Sequence, residues 1–262
     1  MNDPVALDLD RIVSALYAYA WPFLRVSGLL LVAPVFGANV VPRRVKIVLA
    51  VGLTLALAPA VPAPPPIDPF SAVALLTAAQ QLLIGIAIGF AVQVAFDALL
   101  MAGQAISMTM GLGFATMVDP GRGVATPVVG QFYLIVGLLL YLSVDAHWVL
   151  LGVLADSFRW LPPGTDGIGT AGLATLIAWA GKIFEAGILI ALPAVVGLLV
   201  VNLALGVVSR AAPQLNLFAV GFPLGMAVGF LMMIVSLPAL RAGFERLLVE
   251  ALGTAATVVG GP

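Results

Sequence analysis

The chain has no cysteine, a single histidine and few charges: of its 262 residues, 9% are Asp, Glu, Lys or Arg. Without cysteine there are no disulfides, thiolate metal sites or cysteine nucleophiles. The one histidine, His147, lies near Asp145 as a catalytic or metal pair would, but no second histidine completes such a site. A net charge of −1 leaves no basic footprint for nucleic acid. Gly-Arg-Gly at 121–123 is not followed by the Gly-Lys-Ser/Thr of a phosphate loop, and neither His-Glu-x-x-His nor Gly-x-Ser-x-Gly occurs. The acids are scattered. The sequence therefore predicts neither an enzyme nor a cofactor. Arg25, Lys182 and Glu185 are the ionisable residues inside apolar runs, too few for a proton path.

Hydrophobic residues make up 62% of the chain. A soluble domain carries about 25% charged residues, and no soluble core could hide this much apolar surface. The composition reads as an integral membrane protein. The start, MNDPVALDLDR, is acidic where a signal peptide is basic, so the first apolar run is expected to remain in the protein. No strand alternation and no long repeat appear, and the fold class expected is all-α.

About six apolar segments follow in order, or five if one long stretch is a single helix. Ile12–Val35 contains Pro22, which kinks a helix or ends a short one. It also contains Arg25, which either snorkels or finds an interhelical partner. The connector from Pro34 to Lys46 carries Arg43, Arg44 and Lys46, and the positive-inside rule places it in the cytoplasm. Ile47–Ala58 is short enough for a buried or re-entrant helix. A proline-rich spacer, residues 59–69, leads into a long helix from Phe70 to about Ile106. Its Gly85-x-x-x-Gly89 allows close helix approach, and Asp97 reads as a solvated helix end. Val128–Leu154 is the next span, and 156–169 a loop. Gly172–Val208 is too long for one ordinary span, and Pro193 divides it into two shorter helices or kinks one long one. Lys182 and Glu185 are spaced to pair. After a polar break at 209–216 comes Leu217–Leu240 with Gly225-x-x-x-Gly229, then a charged tail that frays.

Met101–Gly130 is the least ordinary stretch. It holds six glycines and four of the chain's eight methionines: Met101, Met108, Met110 and Met117. Gly103, Ser107 and Gly111 continue a small-residue face at spacing four. Gly111 and Gly113 weaken the helix, and Asp119-Pro120 is expected to end it. Methionine is soft and unbranched, so this segment either seals around varied shapes or fills gaps between helices.

Several local patterns resemble the FliR-type family of flagellar export-gate proteins and its injectisome relatives. They are Phe23-Leu-Arg25 with Gly28; Pro34-Val-Phe-Gly37 and Pro42 to Lys46; Ser107 to Ala115 with Asp119-Pro120; Asp145-Ala-His147, where Ala146 replaces a glycine; Ser157-Phe158 with Pro162; Ala191-Leu-Pro193, Asn202 and Gly206; and Arg210-Ala-Ala-Pro213-Gln-Leu-Asn216 with Gly221-Phe-Pro223. Their order covers most of the chain.

The resemblance implies a FliP-like part over residues 1–170 and a FliQ-like helical part over 171–262. It implies FliP-type, FliQ-type, FlhB-type and FlhA-type partners, unfolded export substrates, and a place in the bacterial inner membrane at the flagellar basal body. It also implies a pore plug at about 107–122. On that reading Met108, Met110, Gly111, Gly113, Phe114 and Met117 gate the path, while Arg25, Pro34, Asp119, Pro120, Arg210, Pro213 and Asn216 are structural. An injectisome gate subunit and a small-solute transporter are the rival expectations.

Overall fold

A computed structural model describes residues 4–37, 41–62, 67–68, 71–112, 128–164, 166–211 and 217–261. Among these residues the structure is helical throughout, with no strand. α1 is Pro4–Val32, α2 Arg43–Leu57, α3 Ala72–Thr109, α4 Val128–Ser143, α5 Ala146–Trp160, α6 Thr170–Ala180, α7 Lys182–Ala211 and α8 Leu217–Val258.

Among the described residues, three helical stretches are long and apolar enough to cross a membrane: α3, the run Thr170–Ala211, and Gly221–Val258. A fourth arises if α4 and α5, bent by 67° at their junction, are one broken span. Of the other apolar segments, α1 is itself 29 residues long, with its apolar part described over Ala18–Val32. α2 has 15 residues, about 22 Å at 1.5 Å per residue, against a hydrocarbon core of about 30 Å.

The helix boundaries follow local chemistry. Ser71 starts α3: its Oγ accepts from the Ala74 N–H at 3.1 Å and donates to Asp68 O at 2.7 Å, which satisfies an orphan amide of the first turn. α3 stops at Thr109, ten residues before the expected Asp119-Pro120. Gly111 ends it, with φ 84. The Leu112 N–H donates to Ser107 O at 3.1 Å and the Gly111 N–H to Met108 O at 3.0 Å. That 6→1 and 5→2 pair is a Schellman motif, which needs a left-handed residue and favours glycine. The same motif closes α8. Gly260 has φ 83, Gly261 N–H reaches Ala256 O at 2.9 Å and Gly260 N–H reaches Thr257 O at 3.1 Å. The tail expected to fray is thus helix to Val258 with a built stop, and Val258 and Val259 are buried.

Other boundaries also differ from expectation. The long 172–208 stretch breaks at Gly181, while Pro193 lies inside α7. α1 likewise runs through Pro22. A proline removes one helical hydrogen bond, and the turns around it hold the axis. Asp97 falls well inside α3, half-buried, rather than at a solvated end. α5 extends to Trp160, so the loop that follows begins at 161 and not 156.

The chain folds as two compact units that alternate along the sequence. The first comprises Met1–Val94, Asp145–Ala180 and Glu250–Pro262; the second comprises Ala95–Val144 and Gly181–Val249. In the first, α1 and α3 touch backbone to backbone. A Cβ added at Gly28, Gly85 or Gly89 would meet main-chain atoms of the facing helix, at 3.0 Å from Ala33 N for Gly89. Small residues permit that approach. Trp179 Nε1 donates to Ala91 O at 2.8 Å and ties α6 to α3.

In the second unit, Phe96, Tyr141 and Phe244 form an edge-to-face cluster, with centroids 5.5 and 5.4 Å from Phe96. Gly137 of α4 lies against it; a Cβ there would come 3.4 Å from the Phe244 ring. Gly103 of α3 abuts Gly130 of α4 at the backbone, with Gly130 N 2.7 Å from an added Cβ.

Candidate functional site

Arg25 is fully buried in the first unit. Its Nε donates to Gln81 Oε1 of α3 at 2.8 Å, its Nη1 to Ser157 Oγ of α5 at 3.0 Å, and its Nη2 to Leu161 O at 2.8 Å. The guanidinium carbon stands 4.2 Å from the centre of the Phe158 ring. No carboxylate takes part. Three features replace one. Leu161 O is a carbonyl at the C-terminus of α5, where the helix dipole favours a cation. Ser157 Oγ passes its own proton to Leu154 O at 2.7 Å and so accepts from the arginine. The Phe158 face attracts the cation. A planar fork of donors suits such spread acceptors, and a point-charge ammonium does not. Between the snorkelling and interhelical readings of Arg25, the structure takes the second.

Pro34 is buried just past α1, where it opens a tight turn. Phe36 N–H donates to Pro34 O at 2.8 Å around Val35, whose φ is 69. A β-branched residue in that region is strained. Lys46 Nζ donates to Gly37 O at 2.8 Å and holds the turn to α2. Asp145 is also left-handed, with φ 55, at the bend between α4 and α5. Ala146, which stands where the family pattern has glycine, is the first residue of α5 and buried. The bend therefore makes its demand on Asp145, a residue type that tolerates φ > 0, and not on position 146.

The foot of the methionine segment lies in the second unit. Met108 is 66% exposed, whereas Met110 is 2% exposed and its side chain covers Gly229 of α8, where it would block any Cβ. Gly225 lies beside the Met110 carbonyl, 3.6 Å from an added Cβ. Asn202 of α7 donates to Thr109 O at 3.3 Å and caps the end of α3. An apolar groove of about 490 Å³ opens next to it, lined by Leu112, Val128, Phe132, Phe230, Met233 and neighbours. Leu112 and Val128 both line this groove. Gly113, Phe114, Met117, Asp119 and Pro120 lie outside the described residues, as do Pro213 and Asn216. Arg210 is exposed at the end of α7. Lys182 and Glu185 do pair, at 3.0 Å, but exposed rather than buried. No group of three or more metal-ligating side chains occurs among the described residues.

The sequence profile of the bacterial export proteins, family 1, matches residues 16–251. The chain belongs to this family. Relatives named flagellar biosynthetic protein FliR span nearly the whole chain. That of Escherichia coli K12 is 40% identical over 250 residues, covering 95% of each sequence. That of Bacillus subtilis is 34% identical over 233 residues, covering 87% of this chain and 88% of the relative. That of Caulobacter vibrioides is 29% identical over 227 residues, covering 84% and 88%. Arg25 and the α3–α4 segment both fall within the stretch matched to the export family.

Ser157, Phe158 and Asn202 carry roles that sequence reasoning did not assign. They were noted only as parts of patterns. Ser157-Phe158 holds a cation, and Asn202 caps a helix end more than ninety residues away in sequence.

Proposed function

We propose that this chain is a core subunit of a flagellar type III protein export gate. With FliP-type and FliQ-type subunits it forms the mouth of a channel for unfolded flagellar proteins, and the segment around 107–122 plugs the closed pore. FlhB-type and FlhA-type proteins adjoin it. The observation that carries this reading is the 40% identity to a flagellar biosynthetic protein over 95% of both chains. On this reading residues 1–170 correspond to a FliP-like part and 171–262 to a FliQ-like part.

The local geometry supports the plug. α3 has a built stop at Gly111, so the rigid helix ends at a defined point just before the proposed plug. Met110 anchors that point on α8, while Met108 is exposed and free to pack on whatever approaches. The apolar groove beside it offers no polar side chain, which suits a soft closure of apolar residues.

The test is deletion of Gly111–Met117 in the assembled gate. The closed membrane should then leak ions, measured as loss of a potassium diffusion potential. An unchanged leak with normal assembly counts against the plug. Solute uptake by the purified chain alone in liposomes would favour the transporter reading and overturn the gate.

A further inference from the structure

We propose that α2 is an interfacial anchor whose Arg43–Arg44 pair binds the headgroups of anionic phospholipids. The proposal rests on α2 alone and holds whether or not the chain belongs to an export gate.

Three cations open this helix, and the structure separates them. Lys46 is spent internally, its Nζ on Gly37 O at 2.8 Å. Arg43 and Arg44 point outward, exposed, and among the described residues neither has an acidic partner within 4.0 Å. The first turn carries no acid either. Two exposed guanidiniums thus stand on successive residues with no anion among the described residues to offset them.

The rest of the outward face is apolar. Arg44, Val48, Val51 and Leu55 recur at spacings of four, three and four, which is one stripe of an α-helix. Val48 is 72%, Val51 44% and Leu55 58% exposed. The adjacent stripe, Arg43, Ile47, Ala50 and Thr54, is exposed at Arg43 and Ile47 and turns inward at Ala50 and Thr54, which are buried. A cationic end on an outward apolar stripe matches the boundary between phosphate headgroups and acyl chains. The helix is too short to cross the core and carries its arginines at one end, so it fits a tilted position with that end at the headgroups. The arginines then meet lipid phosphates while Val48, Val51 and Leu55 meet the acyl region.

The chain has no cysteine, so Val48→Cys accepts a single fluorophore without other changes. The labelled full chain is placed in nanodiscs containing phosphatidylglycerol or phosphatidylcholine spin-labelled at the headgroup. Phosphatidylglycerol should quench several-fold more than phosphatidylcholine. Two arginines near an anionic surface set an upper bound of roughly thirtyfold at low ionic strength, and high salt should erase the preference. Arg43→Gln with Arg44→Gln should equalise the two lipids while circular dichroism stays unchanged. Arg159→Gln, a control whose charge already faces Asp156 at 3.6 Å, should keep the preference. Equal quenching in the unmutated arginine background, or a preference that survives the double substitution, overturns the proposal. A label shielded from both lipids also overturns it and assigns the face to a protein partner.

Discussion

At the scale of single residues, Arg25 decides most. A buried cation without a carboxylate is stable only because three neutral oxygens and one ring converge on it. Arg25→Lys keeps the charge but loses the fork. One ammonium cannot reach Gln81 Oε1, Ser157 Oγ and Leu161 O with the same geometry, and acceptors left bare in a dry core are costly. We expect a loss of about 3 kcal/mol, read as a fall in the thermal midpoint of the purified protein. Arg25→Lys at native stability would show that the charge alone suffices. The sequence made Arg25 conspicuous, because a cation in an apolar run is expensive. It could not show the partners, since Gln81 and Ser157 are common residue types 56 and 132 positions away. The left-handed Val35 was equally invisible: nothing in Pro-Val-Phe-Gly singles out valine as the residue that turns.

At the scale of elements, helix ends were harder to read than helix bodies. Each apolar run became a helix, and Gly85, Gly89 and Gly103 lie at close crossings as their spacing predicts. The ends went astray because punctuation is ambiguous. Pro22 and Pro193 each read as either a kink or a break, and both lie inside continuous helices. Gly111 read as a weak point in α3 and is its terminus. Gly260 and Gly261 read as a frayed tail and form a cap. The two Schellman motifs make a paired prediction. Alanine at either left-handed glycine should destabilise its helix end by about 1 kcal/mol. In the assembled protein, amide hydrogen exchange should rise locally near Ser107–Leu112 for Gly111→Ala and near Ala256–Gly261 for Gly260→Ala. Unchanged protection at both ends would mean that packing, not the cap, stops these helices.

At the scale of the whole molecule, length and coverage are the informative quantities. α3 is 67% buried in its most apolar window, while the Thr170–Ala211 run is 22% and Gly221–Val258 is 28% buried. The 42-residue run extends about 63 Å if straight, twice a hydrocarbon core of about 30 Å. Lipid acyl chains cannot cover all of it. Phe184, Leu192, Leu199 and Leu203 are each at least half exposed along α7, so part of that face needs protein cover. A photoreactive residue at Leu203 should crosslink to another subunit in the assembled gate. At the buried Leu198 it should crosslink within the chain. Crosslinks from position 203 to lipid alone would place this face in the bilayer and leave the subunit contact elsewhere. Membrane class was plain from composition, but span count was not. Hydropathy marks apolar runs without telling a lipid-facing helix from one meant for another protein.

The Arg25 cluster also carries a consequence for biogenesis. The arginine leaves the ribosome early, but Leu161 O, its last acceptor, comes 136 residues later. At about 5–20 residues per second, that interval is roughly 7–27 s. Through it, a nascent α1 carries a cation that the translocon accepts into lipid only at a cost of about 2.5–3.5 kcal/mol. The first helix made is therefore not fully secured until the fifth is complete. Until α5 is synthesised, α1 is a substrate for the insertion machinery rather than a settled part of the fold.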